Sequence, residues 1–437
     1  MTVNTLDDLP LKMPRDRKEI EELQRRQKRV AVEKAGRSAY WKDKLSGINL
    51  DKLDDPEEWG KIPILDKETL RQMPTEDFYT GFCHHRGPEV CEYWRSGGST
   101  GRPLFYPKTY DDIRYNMVGF TRTYECAGTT PGYVAHNSFP LGIHPAGHMW
   151  ARAGRLMGIG QVWSGAGNSA PSALQLQLID ALKPTMWMGM SSYGLHLANL
   201  AQSEGIDLAN GSVDRIMCTA EPVSQAKRDK LEREWGATVY DCFGMTECSM
   251  MGAESDKRDG FHIWTDLAYI EVVDEETHKP VGEGEAGLLV VTPLFSHNGA
   301  PFLRWNSGDV VIYKSEGETG SDFAVFPVIE HAHRTAGFFK VRGVNMNHQE
   351  FEDFMFEITA VNDFKAEALA SEDGNDVLRL SVELRRDADE AAMRDRLTAD
   401  TKRVFEVTPE VEFLELGTLA KEFEKSVKAP RFVDKRG

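Results

Sequence analysis

Several common protein classes are excluded by what this chain lacks. Its six cysteines include no C-x-x-C pair, so a disulfide framework is not expected and a reducing cytoplasm fits. Positive charge is in the minority, with 52 Lys and Arg against 69 Asp and Glu and a net charge of −17. That balance argues against nucleic acid as a partner. No stretch approaches the roughly 18 consecutive apolar residues of a membrane span. The opening "MTVNTLDDLPLKMPRDRKEIEEL" has no apolar core behind a basic end, so a secretory signal is not expected there. There is no internal repeat and no low-complexity linker. A Gly-Lys-Ser/Thr phosphate loop is also missing: the richest Gly/Ser stretch, "YWRSGGSTGRPLFYPKT", runs Gly101-Arg102-Pro103 instead, which excludes the P-loop nucleotidases.

What remains is ordinary globular material, 41% hydrophobic and 28% charged over 437 residues. That length suggests two or three domains and ample core. Ile20, Leu23, Gln27 and Val30 sit near helical spacing, predicting an amphipathic surface helix over 15–34. Asp66 can cap a short helix starting at Lys67. From about Cys91 to Ala286 strand-like and helix-like stretches alternate. "VCEYW", "YVAHNSF", "TMWMGM", "DRIMCTAEP" and "TVYDCFG" read as strands. "YDDIRYNMVGFTRTYECAG", "GHMWARAGRLMGIG", "SALQLQLIDALKP" (capped by Ser172), "SYGLHLANLAQSEG" and "SQAKRDKLEREWG" read as helices. Such alternation implies a largely parallel sheet covered by helices, with ligands at the carboxyl ends of its strands. After Phe261, "YIEVVDEETHKPVGEGEAGLLVVTPL" reads as a β-hairpin, and "VLRLSVELRR" alternates as a strand within a tail long enough for a small domain.

Four chemistry-bearing stretches follow in order. Ser96, Gly97, Gly98, Ser99, Thr100 and Gly101 combine backbone N–H groups freed by glycine with hydroxyl donors, as phosphate contacts require. "CTAEP" contains Ala220, Glu221 and Pro222, and "YDCFGMTE" contains Phe243, Gly244, Met245, Thr246 and Glu247. "LRWNSGD" ends in Asp309, with Arg334 and "KVRGVNMN" after it, and "SVKAPRFVDKR" carries Lys428.

Together with "IPILDKETLRQMP", "SSYGLHLA" and "FKVRGVNMNHQEFED", these stretches resemble the adenylate-forming superfamily, and within it the phenylacetate–CoA ligase family. The resemblance covers nearly the whole chain. It implies an α/β fold: a large N-terminal domain over 1–334, with mainly parallel sheets flanked by helices and a β-rich subdomain, then a small mobile α+β domain over 335–437. It implies an ATP-dependent carboxylate–CoA ligase that forms an acyl-adenylate and then a thioester, with ATP, Mg²⁺ and coenzyme A as cofactor and substrates, in a cytoplasmic homodimer. By the same resemblance the Gly/Ser loop handles pyrophosphate and Ala220–Pro222 line the adenine, with the aromatic of "FGMTE" close by. Thr246 donates to the α-phosphate, Glu247 helps hold Mg²⁺, Asp309 and Arg334 contact the ribose, and Lys428 bridges carboxylate and nucleotide.

His136, Phe139, His144 and Met245 are candidates for the acyl pocket, with Trp150, Trp187 and Met250 behind them. An aryl or aryl-acetic acid leads, and the histidines also suit a short or hydroxylated acid. Transfer to a carrier protein and a non-catalytic nucleotide-binding role are the alternatives. The chain departs from the family at Ala336, where an acidic hinge residue is usual. Structural zinc is not expected either at Cys83, His84, His85 and Cys91, read as a surface loop, or at Cys248 and His262, where the intervening stretch offers no further cysteine.

Overall fold

The computed structural model describes residues 5–95, 103–167, 169–315, 322–334, 338–341, 344–370, 376–424 and 431–436. It divides into two compact units. One comprises Met1–Tyr133, Leu141–Gln161 and Tyr240–Thr335; the other comprises Val134–Pro140, Val162–Val239 and Ala336–Gly437. No helix among the described residues is long and apolar enough to cross a membrane.

The first unit is built on an antiparallel run of strands. Ala268–Val273, Ala286–Pro293, Trp305–Lys314, Val328–Arg334, Phe261–Ile263 and Ser249–Ala253 lie side by side in that order, followed by Thr238–Met245, most of which belongs to this unit. The predicted hairpin is present, with Ala268 opposite Pro293 and Val273 opposite Leu288. The predicted amphipathic helix spans Arg17–Ala35, capped by Asp16, whose side chain accepts the Glu19 N–H. Its buried face is Ile20, Lys28, Ala31, Val32 and Ala35, which differs from the apolar stripe read from spacing. Lys28 can be buried because its ammonium lies 4.4 Å from the Trp59 ring and 4.2 Å from the Tyr269 ring, a desolvated cation–π arrangement.

The strand Val90–Arg95 does not head the alternating sheet. It pairs antiparallel with Phe105–Thr109, Arg95 opposite Phe105, as a separate two-stranded hairpin. A connection this short cannot make the crossover that a parallel pairing needs. The Gly/Ser stretch therefore falls between two hairpin strands, and Ser96, Gly97, Gly98, Ser99, Thr100, Gly101 and Arg102 themselves lie outside the described residues. After this hairpin, Thr109 caps the helix Tyr110–Cys126 in a reciprocal capping box with Asp112. Gly119 of that helix packs directly on Ser249–Ala253, where a Cβ would sit 2.3 Å from the Met250 carbonyl oxygen.

The second unit begins with the parallel strands Val134–Asn137, Met186–Gly189 and Arg215–Cys218, in register Ala135–Met186 and Met188–Met217. They alternate with the helices Ser172–Leu182, Ser191–Glu204 and Gln225–Trp235, as the sequence pattern predicts. Trp187, fully buried, packs on Trp235 with centroids 5.5 Å apart. The tail contributes a four-stranded sheet ordered Glu410–Leu414, Asp376–Leu384, Val361–Ala370, Phe432–Asp434. Buried charges bind it to the helices. Arg431 Nε donates to Asp363 (2.8 Å), Asn199 Nδ2 donates to the other Asp363 oxygen (2.6 Å), and Lys227 pairs with Glu352 (2.8 Å). Lys230 donates to the Val361 and Asn362 carbonyls.

Ser172 does not cap the helix it begins. Its Oγ lies 2.9 Å from the Tyr193 hydroxyl and 3.0 Å from His196 Nε2, while its N–H is taken by the Glu424 carboxylate at 2.7 Å. A cap from elsewhere in the chain replaces the local one. The closest backbone approach, at Gly119, generates a stability prediction. Gly119→Ala must push the helix Tyr110–Cys126 off the strand beneath it, and overpacking of this kind costs about 1–3 kcal/mol. Denaturant titration is expected to show that loss, whereas an unchanged midpoint would mean that the contact is not tight.

Candidate functional site

The strand Thr238–Met245 reverses into Ser249–Ala253 through the turn Thr246–Cys248. Gly244 is required there, since a Cβ would lie 2.7 Å from the Ser249 carbonyl oxygen. Ser249 closes the turn with φ of 70°, a left-handed conformation that non-glycine residues adopt at a cost and mainly where the surroundings impose it. Glu247 therefore occupies a hairpin turn.

Glu247 is buried, with 4% of its surface exposed. The Tyr106 hydroxyl donates to its Oε1 at 2.9 Å, and Lys67 Nζ stands 3.4 Å from the same oxygen. Its backbone carbonyl accepts from Lys108 Nζ at 3.0 Å. A carboxylate held at Oε1 is of the type that would suit Mg²⁺, which keeps most of its ligands as water or substrate phosphate. Among the described residues no group of three or more His, Cys, Asp or Glu side chains is placed to hold a metal.

Thr246 and Met245 are half-buried beside Glu247. The Phe243 ring turns inward, 5.6 Å from Phe261 and 5.2 Å from His331. Asp309 is buried on Trp305–Lys314. Gly308 precedes it at φ 76°, and the Ser307 hydroxyl accepts the Asp309 N–H at 3.0 Å. Asp309 stands opposite Arg334 in the antiparallel register, so one strand pair carries both residues proposed for the ribose. His144 starts the helix Pro145–Leu156 and is half-buried.

In the second unit the strand Arg215–Cys218 ends in the segment carrying Ala220, Glu221 and Pro222. Ala220 is exposed at φ 74°, again a strained choice for a residue with a Cβ. The Glu221 carboxylate reaches the start of the helix Ser191–Glu204: it accepts from the Ser191 hydroxyl (2.6 Å), the Ser192 hydroxyl (3.0 Å) and the Ser192 N–H. A carboxylate there satisfies donors that the helix leaves open and complements its dipole. The side chain thus anchors the 219–222 loop to the start of that helix.

His136 and Phe139 follow from the strand Val134–Asn137, and both are fully buried. His136 Nε2 lies 3.1 Å from Gln175 Oε1, which also accepts from the Ser138 hydroxyl at 2.7 Å; Ser138 Oγ in turn accepts from Trp187 Nε1 at 2.9 Å. Burial pushes the His136 imidazole down to about 4. Cys83 is buried among Phe78, Phe82 and Tyr106 rather than on a surface loop. Cys248 is buried as well, and His262 Nε2 approaches Ser255 Oγ at 3.3 Å. Lys428 and Ala336 lie outside the described residues, and Arg334 is described through its backbone alone.

Sequence reading passed over Tyr106 and Lys108. Their signal was available in "FYPKT": in a strand, residues two apart share a face, so Tyr106 and Lys108 place two polar ends on one side.

The buried histidines set a pH dependence. The unfolded chain begins to protonate His136 near its ordinary value of 6.5, while the folded chain resists until about 4. This contribution to stability is complete above pH 6.5 and is lost as pH falls toward 4. His84 and His297, also held down to about 4 by burial, act in the same direction. Each histidine contributes a slope of at most about 1.4 kcal/mol per pH unit. Urea titrations between pH 7 and 4.5 are expected to show a shallower slope for His136→Gln than for the wild type; identical slopes would show that His136 is not held neutral.

Comparison with known proteins gives a consistent result. A family model described as AMP-binding enzyme matches residues 95–293. The chain is 27% identical over 310 residues to a phenylacetate–coenzyme A ligase of Thermus thermophilus, covering 70% of this chain and 67% of that one. It is 25% identical over 342 residues to the phenylacetate–coenzyme A ligase of Pseudomonas putida, covering 78% and 75%. Among solved structures, a 2-hydroxyisobutyryl-CoA ligase in a postadenylation state superposes with a TM-score of 0.79 at 24% identity, over 96% of this chain and 89% of that one. An anthranilate CoA ligase with its anthranoyl adenylate superposes at 0.51 and 17% identity, over 74% and 63%. The structural likenesses establish the fold.

Proposed function

We propose, for this phenylacetate–CoA-ligase-like member of the adenylate-forming AMP-binding enzymes, that it activates a carboxylic acid with ATP and passes the acyl group to coenzyme A. The carboxylate oxygen attacks the α-phosphorus of ATP and pyrophosphate leaves. The coenzyme A thiol, losing its proton, then attacks the acyl carbonyl of the adenylate, and AMP leaves. The single observation that carries the site assignment is the turn Thr246–Cys248, in which a half-buried threonine adjoins a buried carboxylate held by Tyr106.

In this reading the Thr246 hydroxyl donates to the α-phosphate, and Asp309, an acceptor once ionised, takes the ribose hydroxyls. Glu247 would hold Mg²⁺, which supplies charge neutralisation to the phosphates when bound. The 219–222 backbone borders the adenine. Residues 96–101 receive the pyrophosphate oxygens, and Lys428 neutralises the charge that develops between carboxylate and α-phosphate. Residues 335–437 bring Lys428 to the first half-reaction and withdraw it for the second. Positioning and charge, rather than covalent chemistry, are the protein's contribution.

An aryl or aryl-acetic acid is the leading substrate, supported by the curated relatives. A small hydroxylated acid is the second reading. His136, held neutral and bonded through Nε2, has an Nδ1 with no hydrogen-bond partner among the described residues, and one superposing structure is of a 2-hydroxyisobutyryl-CoA ligase.

Acid-dependent exchange of labelled pyrophosphate into ATP, across a panel of aryl, aryl-acetic and short hydroxy acids, is expected with at least one class. No exchange with any acid would refute the activity. Lys428→Ala is expected to lower exchange by roughly 100-fold or more while thioester formation from supplied acyl-adenylate is largely kept. Equal loss in both half-reactions would remove Lys428 from this role.

A further inference from the structure

Lys108 is 1% exposed, and a buried ammonium is retained only at the cost of its lost hydration. A methionine would fill the same space between Trp94 and Phe302, whose rings lie 5.0 and 6.0 Å from Nζ, without that cost. What lysine adds is a directed hydrogen bond and a positive charge. The bond goes to the Glu247 carbonyl at 3.0 Å. The nearby Asp112 carboxylate does not take it: its oxygens serve the Thr109, Asn298 and Gly299 N–H groups, the Thr109 hydroxyl and the Asn298 amide. The other groups facing the ammonium are the Cys83 and Cys248 thiols, both buried.

Two residues back along the same strand face, Tyr106 holds the Glu247 carboxylate. One strand therefore grips Glu247 at both its carbonyl and its side chain. That strand, Phe105–Thr109, follows directly from the Gly/Ser stretch, and its partner Val90–Arg95 leads into it.

We infer that Lys108 is a positioning residue for adenylation: it fixes the Thr246–Glu247 turn from below and places a buried positive charge behind the carboxylate that meets the metal–nucleotide. The inference rests on the assignment of Glu247 made above. It assigns Lys108 no contact with substrate, so its effect must pass through Glu247.

A double-mutant cycle on pyrophosphate exchange tests this directly. Lys108→Met is expected to lower exchange by roughly 30-fold and Glu247→Gln by roughly 100-fold, with the double variant within about 3-fold of Glu247→Gln alone. Lys108→Met should also raise the Mg²⁺ concentration for half-maximal exchange by about 10-fold and leave the KM for coenzyme A unchanged in thioester formation from supplied acyl-adenylate. Losses that multiply in the double variant, or that fall equally on both half-reactions, would overturn the inference and leave Lys108 a packing residue. If Glu247→Gln leaves exchange intact, the assignment of Glu247 itself is wrong, a distinct outcome. Should Lys108→Met fail to fold, Tyr106→Phe takes its place in the same cycle. There, sub-multiplicative loss supports the two-point grip, and full multiplication refutes it.

Discussion

The Glu247 turn depends on one constraint: a short hairpin whose chain reverses over a glycine and a left-handed serine, and whose acidic residue is held from beneath by a neighbouring strand. Gly244 has no room for a Cβ, and Ser249 takes a backbone conformation that costs energy. These local costs are borne because the turn is clamped by Tyr106 and Lys108. The same clamp buries the carboxylate and, among the described residues, holds it at Oε1, as a proposed Mg²⁺ ligand would require.

The second unit uses charge differently. Asp363 pairs with Arg431 and Lys227 with Glu352, all buried, and the buried Lys230 donates to the Val361 and Asn362 carbonyls. Such networks add little net stability over apolar packing, and breaking one partner is expensive. They do fix register, and here they fix the tail sheet against the helices Ser191–Glu204 and Gln225–Trp235. Glu221 belongs to the same economy of helix ends: its carboxylate anchors Ser191 and Ser192, which holds the strained Ala220 in place.

Much of this was legible in the sequence. The alternation between Val134 and Trp235, the hairpin of Ala268–Val273 with Ala286–Pro293, and the helix Arg17–Ala35 follow from periodicity and turn residues. What was not legible involves partners distant in the chain. Val90–Arg95 looks like any half-buried strand, and only its short connection assigns it to a hairpin. Ser172 has the composition of an N-cap, yet its N–H is satisfied by Glu424, 252 residues away. The burial of Lys28 and Lys108 left no sign in the sequence, because composition cannot reveal an aromatic face or a carbonyl waiting across the fold. Of the site, the order of the motifs pointed to Thr246, Glu247 and Asp309. The grip on Glu247 needed coordinates, and the Gly/Ser loop and Lys428 rest on sequence resemblance.

The chemistry at the centre of this account can be followed by one isotope. If the carboxylate attacks the α-phosphorus, a supported acid labelled with ¹⁸O in both carboxylate oxygens must leave one of them on AMP. Mass spectrometry of the nucleotide after turnover is predicted to show AMP carrying a single ¹⁸O and pyrophosphate carrying none. Label in inorganic phosphate with ADP as the nucleotide product, or unlabelled AMP, would contradict acyl-adenylate formation and with it the role given to the Glu247 turn.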